Sequence, residues 1–498
     1  MKNTGNNETK ARKASSRATE KRFNFAFTDK TAQRTTLIFF VALWLLLTFF
    51  EPAQLYRIQD LSLFLNTELF FKEMMTMPAG LLSYIGCFLV QFFYYPAVGA
   101  AIYVALLYVT YLLVRKVFNI PRRWSLLALV PVVFLLATNV FMGYWIYYMK
   151  LQGYFYVAIL GVISVLLALW AYKKLPLWAK YLFVILWTLS GYPLFGIYAL
   201  VATLFMGLHT LCGKEKLAMR LSLFVLTLAL IAAIPAFFFY NVYTSTSFVL
   251  SYGAGTPAYL WSIFSKVNFF DRVQMIMETW LPFVLLFLTM LLFTLLADKV
   301  VETEKIAKRY TVCQALLMVG VLSVTYLFWY NDENFKVELE QNQAIWDEDW
   351  ERVARLAKVS GTPTRLIVMN KNMALLHLGR AGEEMFKYPD SSAAHASSVN
   401  VRLAQTGGKM AYYQYGMFNF CYRWCVEDAV DYGWKVEFLK LSIRSLVASG
   451  QYNTARRYID ILKHTTFHAS WAEEYAKIIE NPKLIEKYPE ITDRKSVV

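Results

Sequence analysis

The chain is poor in charge. Only 17% of its 498 residues are Asp, Glu, Lys or Arg, where soluble domains carry about 25%. That scarcity argues against an ordinary water-soluble protein. Disulfide and zinc scaffolds are also missing, because the five cysteines fall into no pairing or ligand spacing. Cys87, Cys212 and Cys313 lie in apolar stretches, where a free cysteine serves as a small hydrophobe. Cys421 and Cys425, one helical turn apart in "CYRWC", are expected to be two packed apolar side chains. No P-loop, GxGxxG, HExxH or GxSxG motif occurs. His464 and His468 have the i, i+4 spacing of a metal pair in "HTTFH" but lack the intervening glutamate. No metal site is expected, and the residues specify no cofactor.

What the chain has in quantity is apolar surface, with 57% hydrophobic and 17% aromatic residues. The apolar residues cluster between residues 37 and 330 in runs long enough to cross a ~30 Å hydrocarbon core as helices. Beyond residue 331 the composition is that of a soluble domain. The net charge of +15 sits wholly in residues 1–330, since residues 331–498 hold 22 basic and 22 acidic groups. Basic charge between apolar runs is a topology signal, so nucleic-acid binding is not expected.

Nine spans are predicted, at approximately 36–51, 97–114, 125–140, 153–172, 178–193, 194–212, 218–240, 280–298 and 311–330. The apolar stretch 78–96, bracketed by Pro78 and Pro96, is expected to lie along the membrane without crossing. With the basic tail 1–34 in the cytoplasm, this threading puts 23 Lys and Arg in inner segments and five in outer ones. The tail is predicted to be disordered and the first span uncleaved. Residues 35–330 then form the transmembrane domain, with a long first outer loop at 52–96. Residues 331–498 form a soluble, all-α domain outside the cytoplasm. No Asp, Glu, Lys or Arg falls in the middle of a span, which argues against an ion-coupled transporter.

The first outer loop opens with "EPAQLYRIQDLSLF". Glu51, at the end of span one, is expected to be simply hydrated. Asp60 is flanked by apolar residues and stands one helical turn from Arg57, an arrangement that predicts a surface pair worth under about 1 kcal/mol. The outer ends of the spans are rich in aromatics, as in "FFYYP" and "GYWIYYMKLQGYFY", which fits an interfacial belt.

In the soluble domain, "VEFLKLSIRSLVASG" and "QYNTARRYIDILKH" meet at Gly450. The Gly450, Tyr452, Ala455 spacing resembles a tetratricopeptide repeat, which implies antiparallel helix pairs stacked into a peptide- or protein-binding surface. The layout of the whole chain resembles the membrane glycosyltransferases of the GT-C superfamily. That resemblance implies an acidic residue in the first outer loop as catalytic base or metal ligand, corresponding to Asp60, with a polyprenyl-phosphate sugar as donor. Arg57, Lys150, Lys266 and Arg272 would then neutralise the lipid phosphate. The paired acidic motif of that superfamily is absent. The phrases "FFYYPAVGA" and "YNTARRYIDIL…FHASWAEEY" are similar to an uncharacterised family of multi-pass bacterial envelope proteins. This similarity implies a Gram-negative inner membrane and no particular activity. An envelope protein that docks a periplasmic protein or peptide, and a lipid-linked glycosyltransferase, both remain open from the residues alone.

Overall fold

The structure, a computed structural model, describes residues 29–147, 153–213, 215–243, 246–256, 269–296, 310–388, 404–488 and 491–492. Among these the regular elements are helices, with no strand. The membrane part comprises α1 (Asp29–Phe50), α2 (Pro52–Asp60), α3 (Glu68–Met74), α4 (Gly80–Val90), α5 (Pro96–Val117), α6 (Leu129–Val140) and α7 (Tyr154–Lys173). It continues through α8 (Leu177–Phe195), α9 (Ile197–Leu211), α10 (Leu217–Asn241), α11 (Phe269–Leu296) and α12 (Tyr310–Phe328). All nine apolar segments expected to span therefore contain helix. Five helices in the described residues are long and apolar enough to cross a bilayer, and a sixth follows if α12 and the next helix, bent by 63°, are one span. The 19 residues of α8 are long enough but not apolar enough to join them, and the apolar helices Gly80–Tyr94, Trp124–Val140 and Ile197–Leu211 are shorter. At 1.5 Å per residue the 15 residues of α9 reach only about 22 Å, less than a hydrocarbon core.

The axis of the membrane part is α7, whose residues are mostly buried from Tyr154 to Tyr172. Small residues bring its neighbours close: a Cβ on Gly161 would clash with the ring of Tyr198, and one on Gly86 of α4 with the backbone of Gly153. Buried polar groups are paired across helices. Asn139 Nδ2 donates to Tyr103 Oη and to the Phe155 carbonyl, both at 2.8 Å, and Tyr156 Oη donates to the Gly99 carbonyl at 3.1 Å. Helix α4 packs its length against the start of α7 and continues into the 3-10 turn Gln91–Tyr94.

The second part begins at Asp332, which caps α13 (Glu333–Trp346) by accepting from the Asn334 and Phe335 backbone N–H groups. It continues with α14 (Trp350–Leu356), α15 (Arg365–His377), α16 (Lys409–Gln414), α17 (Phe418–Tyr432), α18 (Val436–Ala448), α19 (Tyr452–Lys463) and α20 (Ala469–Glu480). Consecutive helices from α16 to α20 pack on one another around α18, of which only Lys440 escapes full burial. Gly450 ends α18 at φ +73°, a backbone conformation that only glycine adopts cheaply. Ala455 is fully buried in the α18–α19 contact, and Cys421 and Cys425 are free and buried in the same core.

Because Ala455 has no exposed surface, Ala455→Arg places a charge into a packed helix contact. The variant is expected to lose about 3–5 kcal/mol of stability, measured as a lower unfolding midpoint of the helical part.

Candidate functional site

The segment "EPAQLYRIQDLSLF" lies beneath the helical domain. Pro52 at the first position of α2 starts a short helix whose Leu55, Ile58 and Leu61 pack into the membrane-side core. The opposite side of α2 meets α13 and α18. Arg57 and Asp60, expected at the surface, are 2% and 3% exposed.

Arg57 does not depend on Asp60 for its counterion. Its Nη1 and Nη2 donate to Glu437 Oε1 and Oε2 at 2.9 and 3.1 Å, a bidentate pair across 380 residues of sequence. Nη1 also donates to Asn342 Oδ1 at 3.3 Å and Nη2 to the Thr406 carbonyl at 3.5 Å. The guanidinium lies 5.3 Å from the centre of the Tyr147 ring. Asp60 sits beside this pair. Its Oδ1 accepts no hydrogen bond among the described residues. Burial raises its carboxyl to about 6, against the opposing pull of Lys440 and then Arg57. Lys440 is held below the ordinary lysine range by burial, which the charge of Asp60 opposes. Lys435 is lowered to about 7, first by burial and then by Lys409, and donates to the Tyr147 carbonyl at 3.3 Å.

Further contacts fasten the same interface. Gln59 Nε2 and His468 Nε2 are 2.6 Å apart. Burial lowers His468 to about 3, which makes it a neutral, packed imidazole. The Asn66 backbone N–H donates to the His464 carbonyl at 3.0 Å, and that of Val436 to the Ser62 carbonyl at 3.2 Å. Thr466 N–H donates to Gln91 Oε1 at 3.3 Å, and Phe467 stacks on Tyr94 at 5.3 Å. Glu51 is also buried, contrary to the hydrated role expected of it. It accepts from Trp329 Nε1 at 3.1 Å and pairs with Lys336 at 3.2 Å, where the chain passes from α12 into α13.

Two cavities border the cluster, each of about 10 Å³, close to the space one water requires. One is lined by Gln59, Gln91 and His468, and the other by Tyr147, Glu338, Asn342 and Thr406. Asp60 lines neither. Of the expected phosphate-neutralising residues, only Arg57 joins Asp60 here. Lys150 and Lys266 fall outside the described residues, as does the side chain of Arg272 in α11. Glu437, Lys440, Lys435 and His468 escaped sequence reasoning. The signal for the first two is charge three residues apart on α18, a helix otherwise buried on nearly every side.

Residues 30–498 match a protein family described as "Family of unknown function (DUF6057)". The chain belongs to that family. No curated protein and no solved structure matches it. As a family member, the chain combines several membrane-length helices with a helical domain clamped to its first loop.

The clamp predicts an asymmetry. Arg57→Met leaves Glu437 charged and buried without its partner, and is expected to cost about 3–5 kcal/mol. The double variant Arg57→Met with Glu437→Met should recover most of that loss. Asp60 has the opposite sign. Its folded-state carboxyl titrates near 6 rather than the ordinary 3.8, so its ionisation disfavours the fold as pH rises from about 4 to 6. Asp60→Asn should therefore match the parent near pH 4 and exceed it at pH 7, by on the order of 2 kcal/mol. Thermal unfolding of the detergent-solubilised chain at the two pH values measures both effects.

Proposed function

We propose that the chain is a multi-pass envelope protein whose helical domain docks a protein or peptide partner outside the cytoplasm. In this reading it sits in the inner membrane with a cytoplasmic N-terminus and nine crossings, residues 78–96 lie along the outer surface, and residues 331–498 form a TPR-like domain. The observation that carries it is the sealing of α2. The residues with chemical potential are consumed by an internal interface, and the adjoining cavities are each the size of a single water. The face of the helical domain turned away from α2 is what remains for recognition. On α17, Phe420 is 49% exposed and Val430 74% exposed, and large exposed apolar side chains are candidates for partner contact.

One observation favours the alternative, a GT-C-like glycosyltransferase that uses a polyprenyl-phosphate sugar. Asp60 combines a raised pKa with an unsatisfied Oδ1, as a general base requires. That chemistry demands that the helical domain lift to admit a donor and an acceptor.

A photo-crosslinking residue introduced at Phe420 or Val430 in cells is expected to yield one discrete adduct with an envelope protein. Asp60→Asn is expected to complement a strain lacking the chain. Absence of an adduct at both positions, together with a folded Asp60→Asn protein that fails to complement, would overturn the docking reading in favour of the enzyme.

A further inference from the structure

From Met74 to Lys214 the sequence contains no Asp or Glu. Within this acid-free stretch the membrane-facing ends of three helices converge: the end of α5, the end of α7 and the start of α8. Lys116 at the end of α5 and Lys174 just past α7 both approach Trp170, with ammonium-to-centroid distances of 4.4 and 3.5 Å. Lys180 of α8 lies 5.5 Å from the centre of the Tyr172 ring. None of these three lysines forms an ion pair with a carboxylate among the described residues. Trp178, at the start of α8, is 74% exposed.

Two ammonium groups on one indole repel each other, and the ring's quadrupole compensates only part of that cost. An anion would complete the arrangement, and no carboxylate among the described residues pairs with these lysines. The location says which anion. Helices α5 and α7 both have the length and composition of membrane spans, so their ends lie at the depth of lipid phosphates. Tryptophans are enriched at that depth. Basic clusters between span ends are the usual receptors for anionic headgroups.

We propose that Lys116, Lys174 and Lys180, gathered around Trp170 and Tyr172, bind the headgroup of an anionic phospholipid. The lysines bracket the phosphate while the tryptophans lie along the glycerol and upper acyl region. Bound lipid would bridge α5 to the α7–α8 corner, a join otherwise reinforced by Lys173 Nζ donating to the Val117 carbonyl at 2.9 Å. The inference rests on these helices being spans and does not depend on which side of the membrane they end.

Native mass spectrometry of the detergent-solubilised full chain tests it, with phosphatidylglycerol, phosphatidylcholine and inorganic phosphate as separate probes. Phosphatidylglycerol is expected to bind in preference to phosphatidylcholine, and millimolar phosphate should not displace it. The double variant Lys116→Gln with Lys174→Gln is expected to bind phosphatidylglycerol at least about tenfold more weakly, with unchanged helicity. The arginine pair at the same positions should retain binding. Lys180→Gln alone, a milder change, should weaken binding in the same direction. Equal affinity for the two lipids, displacement by free phosphate, or full binding by the glutamine variants would each overturn the proposal. A chain that bound neither lipid and stayed dispersed without detergent would instead contradict the membrane reading.

Discussion

A guanidinium that is almost wholly removed from water must have its charge met, and in this fold Arg57 meets it with Glu437. Desolvating two such ions costs several kcal/mol each, and only a bidentate pair with additional acceptors offsets it. The Asn342 side chain and the Thr406 carbonyl provide those acceptors. The geometry leaves little freedom. Helix α2 is tied by Leu55, Ile58 and Leu61 to the membrane-side core, and α18 is the centre of the helical domain. The pair therefore joins the interiors of the two parts rather than their surfaces. Buried pairs of this kind often contribute more to specificity of assembly than to net stability.

The remaining interface follows from that junction. Once α2 and α18 are in register, Gln59 reaches His468, Ser62 accepts from Val436 and Phe467 comes onto Tyr94. Glu51 fixes the elbow at the other end through Lys336 and Trp329. Asp60 bears the consequence. It is placed where its carboxylate is poorly solvated, with Lys440 and Arg57 compensating in part. A group in this position either contributes an energetic penalty tolerated for the sake of the interface or waits for the domain to move.

Much of the architecture was legible because it depends on local patterns. The nine apolar segments are helical, Gly450 stops α18, Ala455 packs at the turn, and Cys421 and Cys425 are core residues. The stretch around Arg57 and Asp60 was also marked by charge inside an apolar frame. What could not be read was the partner. Glu437 lies 380 residues away, and a contact at that separation leaves no periodicity in a single sequence. Glu51 misled for the same reason: a carboxylate at a span end is normally hydrated, and nothing nearby announces Trp329 or Lys336. Span length was the weaker part of the sequence reading, since α9 and α6 are apolar throughout yet short.

This interface requires that Arg57 and Glu437 hold the helical domain and the α2–α3 segment as one rigid body. Electron paramagnetic resonance between spin labels tests it most directly, with one label at Leu69 on α3 and one at Val430 on α17, both exposed. A single narrow distance distribution is expected for the parent chain in nanodiscs and a broadened one for Arg57→Met. A broad or multiple distribution in the parent, or no change on removing Arg57, would contradict it.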